Sequence, residues 1–148
     1  MIGEQTLLTP TAVRRDWETP QPLFHMYDRE FHFTLDVCAN YQNRKCHYYI
    51  DEQENGLLED WADNVCWMNP PYGRQLRRWM KKAYEASVAG ATVVCLVPAR
   101  TDTQWWHEYA EKGERRFLMG RVAFIRPDGK RSRAPFPSAI VIFRPGSQ

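Results

Sequence analysis

The chain has 148 residues, 43% hydrophobic and 26% charged, with a net charge of +2, which suits one globular domain with a full core. No apolar run approaches the ~20 residues of a membrane span. The start, Met1-Ile2-Gly3-Glu4-Gln5-Thr6, lacks the basic region and apolar stretch of a signal peptide, so a cytoplasmic protein is expected. The charge is unevenly spread. Residues 1–73 hold 12 acidic and 5 basic side chains, a net −7, while residues 74–148 hold 6 and 15, a net +9. Such a split points to a basic face that meets a polyanion, with nucleic acid favoured over a lopsided solvated surface. Cys38, Cys46, Cys66 and Cys95 form no C-x-x-C pair, and His25, His32, His47 and His107 are scattered. Buried thiols are expected, and no metal.

Residues 1–18 show no period and are expected to form a loose arm, with one domain over 19–148. Thr19-Pro20-Gln21-Pro22 is a turn into a helix, where Pro22 suits the first turn. Leu23, Phe24, Met26, Tyr27 and Phe31 give that helix an apolar stripe. Residues 31–38 alternate Phe33, Leu35 and Val37 against His32, Thr34 and Asp36, a strand with an acid near its carboxyl end. Residues 39–64 are poor in regular structure: a polar turn, a short strand over 46–50, a charged loop, and a helical turn over 57–61. So long an irregular stretch is commonly functional, and it is expected to line a site.

Residues 65–68 read as a buried strand that ends in Asn69-Pro70-Pro71-Tyr72-Gly73. A helix over 74–89 follows, with Leu76, Trp79, Met80, Ala83 and Ser87 on one face and Arg74, Arg77, Arg78, Lys81 and Lys82 largely elsewhere. Residues 92–97, Thr-Val-Val-Cys-Leu-Val, suit a strand buried on both faces. A second helix is expected over 102–112, capped by Thr101 or Asp102. Residues 115–125 hold strand material interrupted at Gly120, residues 126–137 form a turn-rich loop, and residues 138–143 form a last apolar strand that can return antiparallel. The order is that of the second half of a doubly wound α/β sheet, in which ligands bind at the carboxyl ends of the strands.

Asn69-Pro70-Pro71-Tyr72 therefore sits where chemistry is expected, and its residues suit methyl transfer to an exocyclic base amine. That nitrogen is a poor nucleophile because its lone pair is delocalised into the ring. Two neutral acceptors on its hydrogens, the Asn69 side-chain oxygen and the Pro70 carbonyl, would hold it and favour a tetrahedral nitrogen. The prolines fix the loop. Tyr72 offers a face on which a base can stack, and Gly73 permits the turn. A base inside a duplex must be flipped out first, with a grip on the flanking phosphates. The bland alternative is a proline-stiffened turn in which Tyr72 merely packs.

Several further motifs occur in order: Trp17-Glu18-Thr19-Pro20, Phe33-Thr34-Leu35-Asp36-Val37-Cys38-Ala39-Asn40, Gly56-Leu57 with Asp60-Trp61, Leu96-Val97-Pro98-Ala99-Arg100-Thr101-Asp102-Thr103, and Gly120-Arg121 with Phe124. Together with the catalytic loop they resemble the small phage- and prophage-encoded DNA N-6-adenine methyltransferases, the Dam-like family, over roughly residues 16–144. The resemblance implies S-adenosylmethionine as donor, double-stranded DNA as substrate, and a reduced class I (Rossmann-like) methyltransferase sheet with an antiparallel last strand. It makes Asn69, Pro70, Pro71 and Tyr72 catalytic. It puts Asp36 near the donor's methionine end, Thr19 and Pro20 in the segment that closes over the donor, and Asp60 at the donor's adenine. Methyltransferases usually follow their first strand with a glycine-rich turn. Here Cys38 and Ala39 stand there and are small enough for a close approach.

In so short a chain the DNA contacts must come from the same domain. The candidates are Arg74 and Arg77 on the basic helix, Arg100 beside the catalytic loop, and Lys130, Arg131 and Arg133 in the turn-rich loop. Phosphate contacts give affinity, and base-edge contacts give sequence choice. Two other functions compete. A methyltransferase acting on protein glutamine or an RNA base would share the loop, but the glutamine version needs no wide basic surface and usually keeps the glycine-rich turn. A DNA-binding module without catalysis would have no use for an intact loop.

Overall fold

The computed structural model describes residues 17–146. The greater part of the expected N-terminal arm lies outside the described residues. Its last two members, Trp17 and Glu18, do not hang loose: they pack on the domain, for reasons given below.

Helix α1, Gln21–Phe31, starts after Pro20 with a proline in its first turn and buries Phe24 and Tyr27. It ends where His32 turns left-handed (φ 57°) and donates its N–H to the Asp28 carbonyl. This turn consumes the front of the expected strand. Strand β1 is only Leu35–Asp36, and the Asp36 side chain shortens its other end by accepting from the Cys38 N–H at 3.2 Å. The strand expected over 46–50 shrinks to one parallel bridge between Tyr49 and Asp36. Two backbone hydrogen bonds, Asp36 N–H to the Tyr48 carbonyl and Ile50 N–H to the Asp36 carbonyl, hold that segment on the outer edge of β1. A single 3-10 turn, Gly56–Leu58, follows.

Strand β2, Val65–Met68, helix α2, Leu76–Val88, and strand β3, Thr92–Pro98, form the regular centre. Helix α2 starts two residues later than its charge pattern suggests, and its expected apolar face is the buried one. The second helix breaks early. Helix α3 spans only Gln104–Glu108, and a separate 3-10 turn covers Ala110–Lys112. The backbone of Tyr109 (φ −124°, ψ −52°) interrupts them. Neither Thr101 nor Asp102 caps α3: its N-cap is Thr103, whose hydroxyl instead donates to the Arg100 carbonyl.

Strand β4, Glu114–Phe117, leads to a hairpin of β5, Ala123–Ile125, and β6, Arg131–Arg133; strand β7, Ser138–Phe143, is the last element among the described residues. The turn-rich loop is thus half of a β-ribbon. The main sheet runs β1-β2-β3-β7-β4. Strands β1, β2 and β3 are mutually parallel, and β7 is antiparallel to both its neighbours. The fold is a mixed α/β sheet whose last strand reverses. Residues 93–97 and 139–143 are almost wholly buried on both faces. Their β-branched composition follows from this position, and each such side chain adds about 1.5–3 kcal/mol on burial.

Register places the loops that matter. Pro98 pairs with Ser138, Leu118 N–H bonds to the Ser138 carbonyl, and Ala99 N–H bonds to the Pro137 carbonyl. The loops after β2, β3 and β4, and the base of the hairpin, therefore gather at the carboxyl end of the parallel strands.

Candidate active site

Strand β2 delivers Asn69, half-buried, followed by Pro70, Pro71 and Tyr72, all buried. Gly73 adopts φ 113° and its carbonyl accepts from the Leu76 N–H, which turns the chain into α2; an L side chain would strain that backbone. Tyr72 is not the open stacking platform that the sequence suggests. Its ring stands edge-on to Phe124 and Phe136, with centroids 6.3 and 5.7 Å away. Its hydroxyl lies 3.0 Å from the Asn69 side-chain oxygen and 3.1 Å from the Leu96 carbonyl. Burial raises its pKa, with a smaller contribution from Cys38, so the phenol stays protonated.

Residues 17–19 form a strap across this loop. The Asn69 Nδ2 donates to the Trp17 carbonyl at 3.0 Å and to the Thr19 hydroxyl at 3.1 Å. The Trp17 ring packs 5.5 Å from Phe124 and 6.4 Å from Phe136. Glu18 pairs backbone to backbone with Ile125 of β5, both hydrogen bonds at 2.9 Å. Its carboxylate meets the Lys45 ammonium at 2.8 Å, and the Lys45 side chain is 2% exposed.

Two adjoining cavities lie beside the loop and share Cys38 and Asn43. The larger, about 300 Å³, is walled by apolar Val37, Ile50, Pro71 and Trp79 and by polar Asn43 and Asp51; that is the lower end of the ~300–1,000 Å³ of ligand pockets. The smaller, about 20 Å³, lies among Thr19, Asp36, Lys45 and Asn69. Asp36 is buried there, and its two oxygens accept from the Cys38 N–H at 3.2 Å and the Lys45 N–H at 3.0 Å. Burial pushes its pKa up to about 7, against the opposing pull of those N–H groups and the Lys45 charge. A buried acid, a polar recess and an apolar chamber are the three surroundings that an amino-acid-bearing nucleoside needs. The residues present fit S-adenosylmethionine.

The comparisons with known proteins point to one family. The model of the family described as DNA N-6-adenine-methyltransferase (Dam) matches residues 6–148. The chain belongs to this family. It is similar to the DNA N-6-adenine-methyltransferase of Haemophilus phage HP1, 29% identical over 135 residues, covering 87% of this chain and 78% of that protein. It is also similar to the protein of the same name from Escherichia phage T1, 33% identical over 102 residues, covering 68% of this chain and 42% of that protein. The protein is thus a transferase of the Dam family.

Of the cations that a Dam-family enzyme could turn toward DNA, most are available at this end of the sheet. Arg74 and Arg100 are exposed beside the Asn69–Tyr72 loop, and the Arg100 guanidinium lies 5.4 Å over the Phe136 ring. Lys130, Arg131 and Arg133 are exposed on the hairpin. Arg131 and Arg133 stand two apart on β6 and so share one face of the ribbon. Arg77 is different. It makes a two-pronged ion pair with Glu108 at 2.8 and 3.2 Å, joining α2 to α3, and its charge is already matched.

Asp60 also falls outside the site. It is exposed, walls neither cavity, and its carboxylate accepts from the Ala62 N–H in a tight turn. The acids on the cavity wall are Asp51 and Glu52, and Asp51 directly follows Ile50 on the edge of β1. An acid directly after a short strand was a readable signal for it. Nothing local marked Lys45 or Glu18. Among the described residues no three His, Cys, Asp or Glu side chains converge. Burial raises the Cys46 and Cys66 thiols to about 12, so they stay protonated. No helix among the described residues is long and apolar enough to cross a membrane.

Proposed function

We propose that this enzyme transfers a methyl group from S-adenosylmethionine to the N-6 amine of an adenine flipped out of double-stranded DNA and into a pocket at Asn69-Pro70-Pro71-Tyr72. The observation that carries the reading is the Asn69 carboxamide. Its nitrogen is committed to the strap, and its oxygen lies on the other side, 3.0 Å from the Tyr72 hydroxyl.

The bound donor supplies an electrophilic methyl group on a sulfonium. The chain's residues do the rest. Asp36 holds the ammonium of the donor's methionine end, and Thr19 and Pro20 cover that end. Cys38 and Ala39 let the backbone approach. Asp51, in place of Asp60, accepts from the ribose hydroxyls, and Val37, Ile50, Pro71 and Trp79 enclose the adenine. At the other partner, Asn69 Oδ1 and the Pro70 carbonyl accept from the two N-6 hydrogens. They release the lone pair from the ring and stabilise the positive charge that develops on nitrogen. Pro70 and Pro71 keep the two oxygens aimed without reorganisation. Tyr72 helps through its hydroxyl; its ring meets a base only once Phe136 moves aside. Arg74, Arg100, Lys130, Arg131 and Arg133 grip the phosphates, and the energy of that grip offsets unstacking of the target base. We read the sheet as a reduced class I fold, with residues 48–50 as the remnant of its next strand, and the protein as one that acts in the cytoplasm of a host cell.

Incubation of plasmid DNA with methyl-labelled donor, followed by sequencing that detects methyl-adenine, tests the proposal. Methyl-adenine at a recurring sequence is expected. Label on protein or RNA, and none on plasmid, would overturn it.

A further inference from the structure

The strap does more than cover the site. A carboxamide has two N–H donors, and both of Asn69's are used. One goes to the Trp17 carbonyl at 3.0 Å and one to the Thr19 hydroxyl at 3.1 Å. A backbone carbonyl can only accept, so the nitrogen is fixed on the strap side and the oxygen on the other. Turned over, Asn69 would set its oxygen against the Trp17 carbonyl and offer N–H groups to an amine. The oxygen accepts from the Tyr72 hydroxyl at 3.0 Å, yet that hydroxyl has one proton and a second acceptor, the Leu96 carbonyl, at 3.1 Å. When the proton turns to Leu96, the Asn69 oxygen keeps both lone pairs for another donor.

The strap is itself held. Thr19 is 1% exposed. Its neighbour Glu18 is clamped by two backbone hydrogen bonds to Ile125 and by the ion pair to Lys45, while Lys45 in turn donates its N–H to Asp36. The hydroxyl of Thr19 is thus part of a fixed frame and not a surface group that happens to be near.

From this geometry we infer that Thr19 is a positioning residue for methyl transfer. With the Trp17 carbonyl, its hydroxyl locks the Asn69 carboxamide so that Oδ1 is the atom offered to the target amine. The inference rests on the function proposed above and adds to it a role for Thr19 that is separate from covering the donor.

The test compares Thr19→Val, which keeps the shape and loses the acceptor, with Thr19→Ser, which keeps the hydroxyl. Methylation kinetics are measured together with the 15N-edited NMR signal of the Asn69 side-chain amide in donor-free protein. Thr19→Val should lower kcat by roughly 10- to 100-fold, less than the ~100- to 1,000-fold that follows removal of the aimed dipole itself, with KM for donor and for DNA nearly unchanged. Thr19→Ser should restore most of kcat. The Asn69 amide protons should exchange slowly with solvent in wild type and in Thr19→Ser, and faster in Thr19→Val. A rise in donor KM that accounts for the whole loss would overturn the inference, because Thr19 would then act on the donor alone. So would a Thr19→Ser variant as slow as Thr19→Val, or rapid exchange of the Asn69 amide in wild type. The last measurement needs no turnover, so it separates failure of the lock from failure of the functional reading, which would show as wild type that leaves adenine unmethylated.

Discussion

The proposed pairing of Asp36 with the donor's ammonium makes donor binding depend on pH in a direction set by the carboxyl's burial. The Asp36 carboxyl is buried, and its pKa stands at about 7 in place of the usual 3.8 because burial penalises the charge. The donor's ammonium binds the carboxylate form, so binding must draw off a proton wherever the free site still carries one. With a free-site pKa near 7, the ionised fraction is about one half at pH 7 and about one tenth at pH 6. Donor affinity should therefore fall about fivefold from pH 7 to pH 6 and about tenfold, or 1.4 kcal/mol, for each unit below that. Above pH ~8 it should fall again as the ammonium itself deprotonates. The same shift acts on folding with a fixed sign. The native state holds this proton more tightly than the unfolded chain, so the stabilisation is complete below the unfolded value and is lost as pH rises toward 7. Isothermal titration with S-adenosylmethionine from pH 5.5 to 7.5, in two buffers of different ionisation enthalpy, reads both affinity and proton release. Close to half a proton should leave on binding at pH 7, and Asp36→Asn should bind weakly with no acid limb. Affinity that stays flat from pH 7.5 to 5.5, or an acid limb retained in Asp36→Asn, would refute the assignment of Asp36 to the ammonium.

Replacing Lys130, Arg131 and Arg133 with alanine should weaken DNA binding and reduce the slope of log K against log salt by about 0.9 for each phosphate no longer neutralised, as fluorescence anisotropy across a salt series would show. An unchanged slope would make the hairpin a solvated ribbon. Arg77→Ala should leave that slope alone, since Glu108 already holds the charge; a lower slope would return Arg77 to the DNA face. Gly56→Ala should lower the melting temperature and weaken donor binding together, because a Cβ there would lie 2.3 Å from the Val37 carbonyl oxygen and 2.8 Å from the Trp79 ring, both against the wall of the larger cavity. Thermal melts with and without donor check this.

The parts of the fold readable from sequence were those with a strong period. The buried runs over 65–68 and 138–143 coincide with β2 and β7, and the five residues picked out on one face of α2, four apolar and Ser87, are all buried. Where local side chains overrule the pattern, the reading failed. His32 and the Asp36 side chain cut β1 to two residues, and Tyr109 cut the second helix in half. The Asn69–Tyr72 loop stood out in the sequence because the chemistry proposed for it is contained in four consecutive residues. Its environment was not. Asn69 meets Trp17 across 52 positions and Lys45 meets Glu18 across 27, and no local pattern encodes such pairs. Asp60 and Asp51 show the same limit. Both are acids in one irregular stretch, and only the hydrogen bonds that lay residues 48–50 along β1 decide which of them reaches the cavity.

The most direct test of the account is nucleoside analysis by mass spectrometry of duplex DNA incubated with S-adenosylmethionine and either wild type or Asn69→Ala, with DNA affinity measured in parallel. Wild type should produce N-6-methyladenine. Asn69→Ala should lose at least ~100-fold in rate while binding DNA almost as tightly, because the Tyr72 hydroxyl keeps its bond to the Leu96 carbonyl and the loop keeps its prolines. Methyladenine formed by Asn69→Ala at the wild-type rate would contradict the account at its centre.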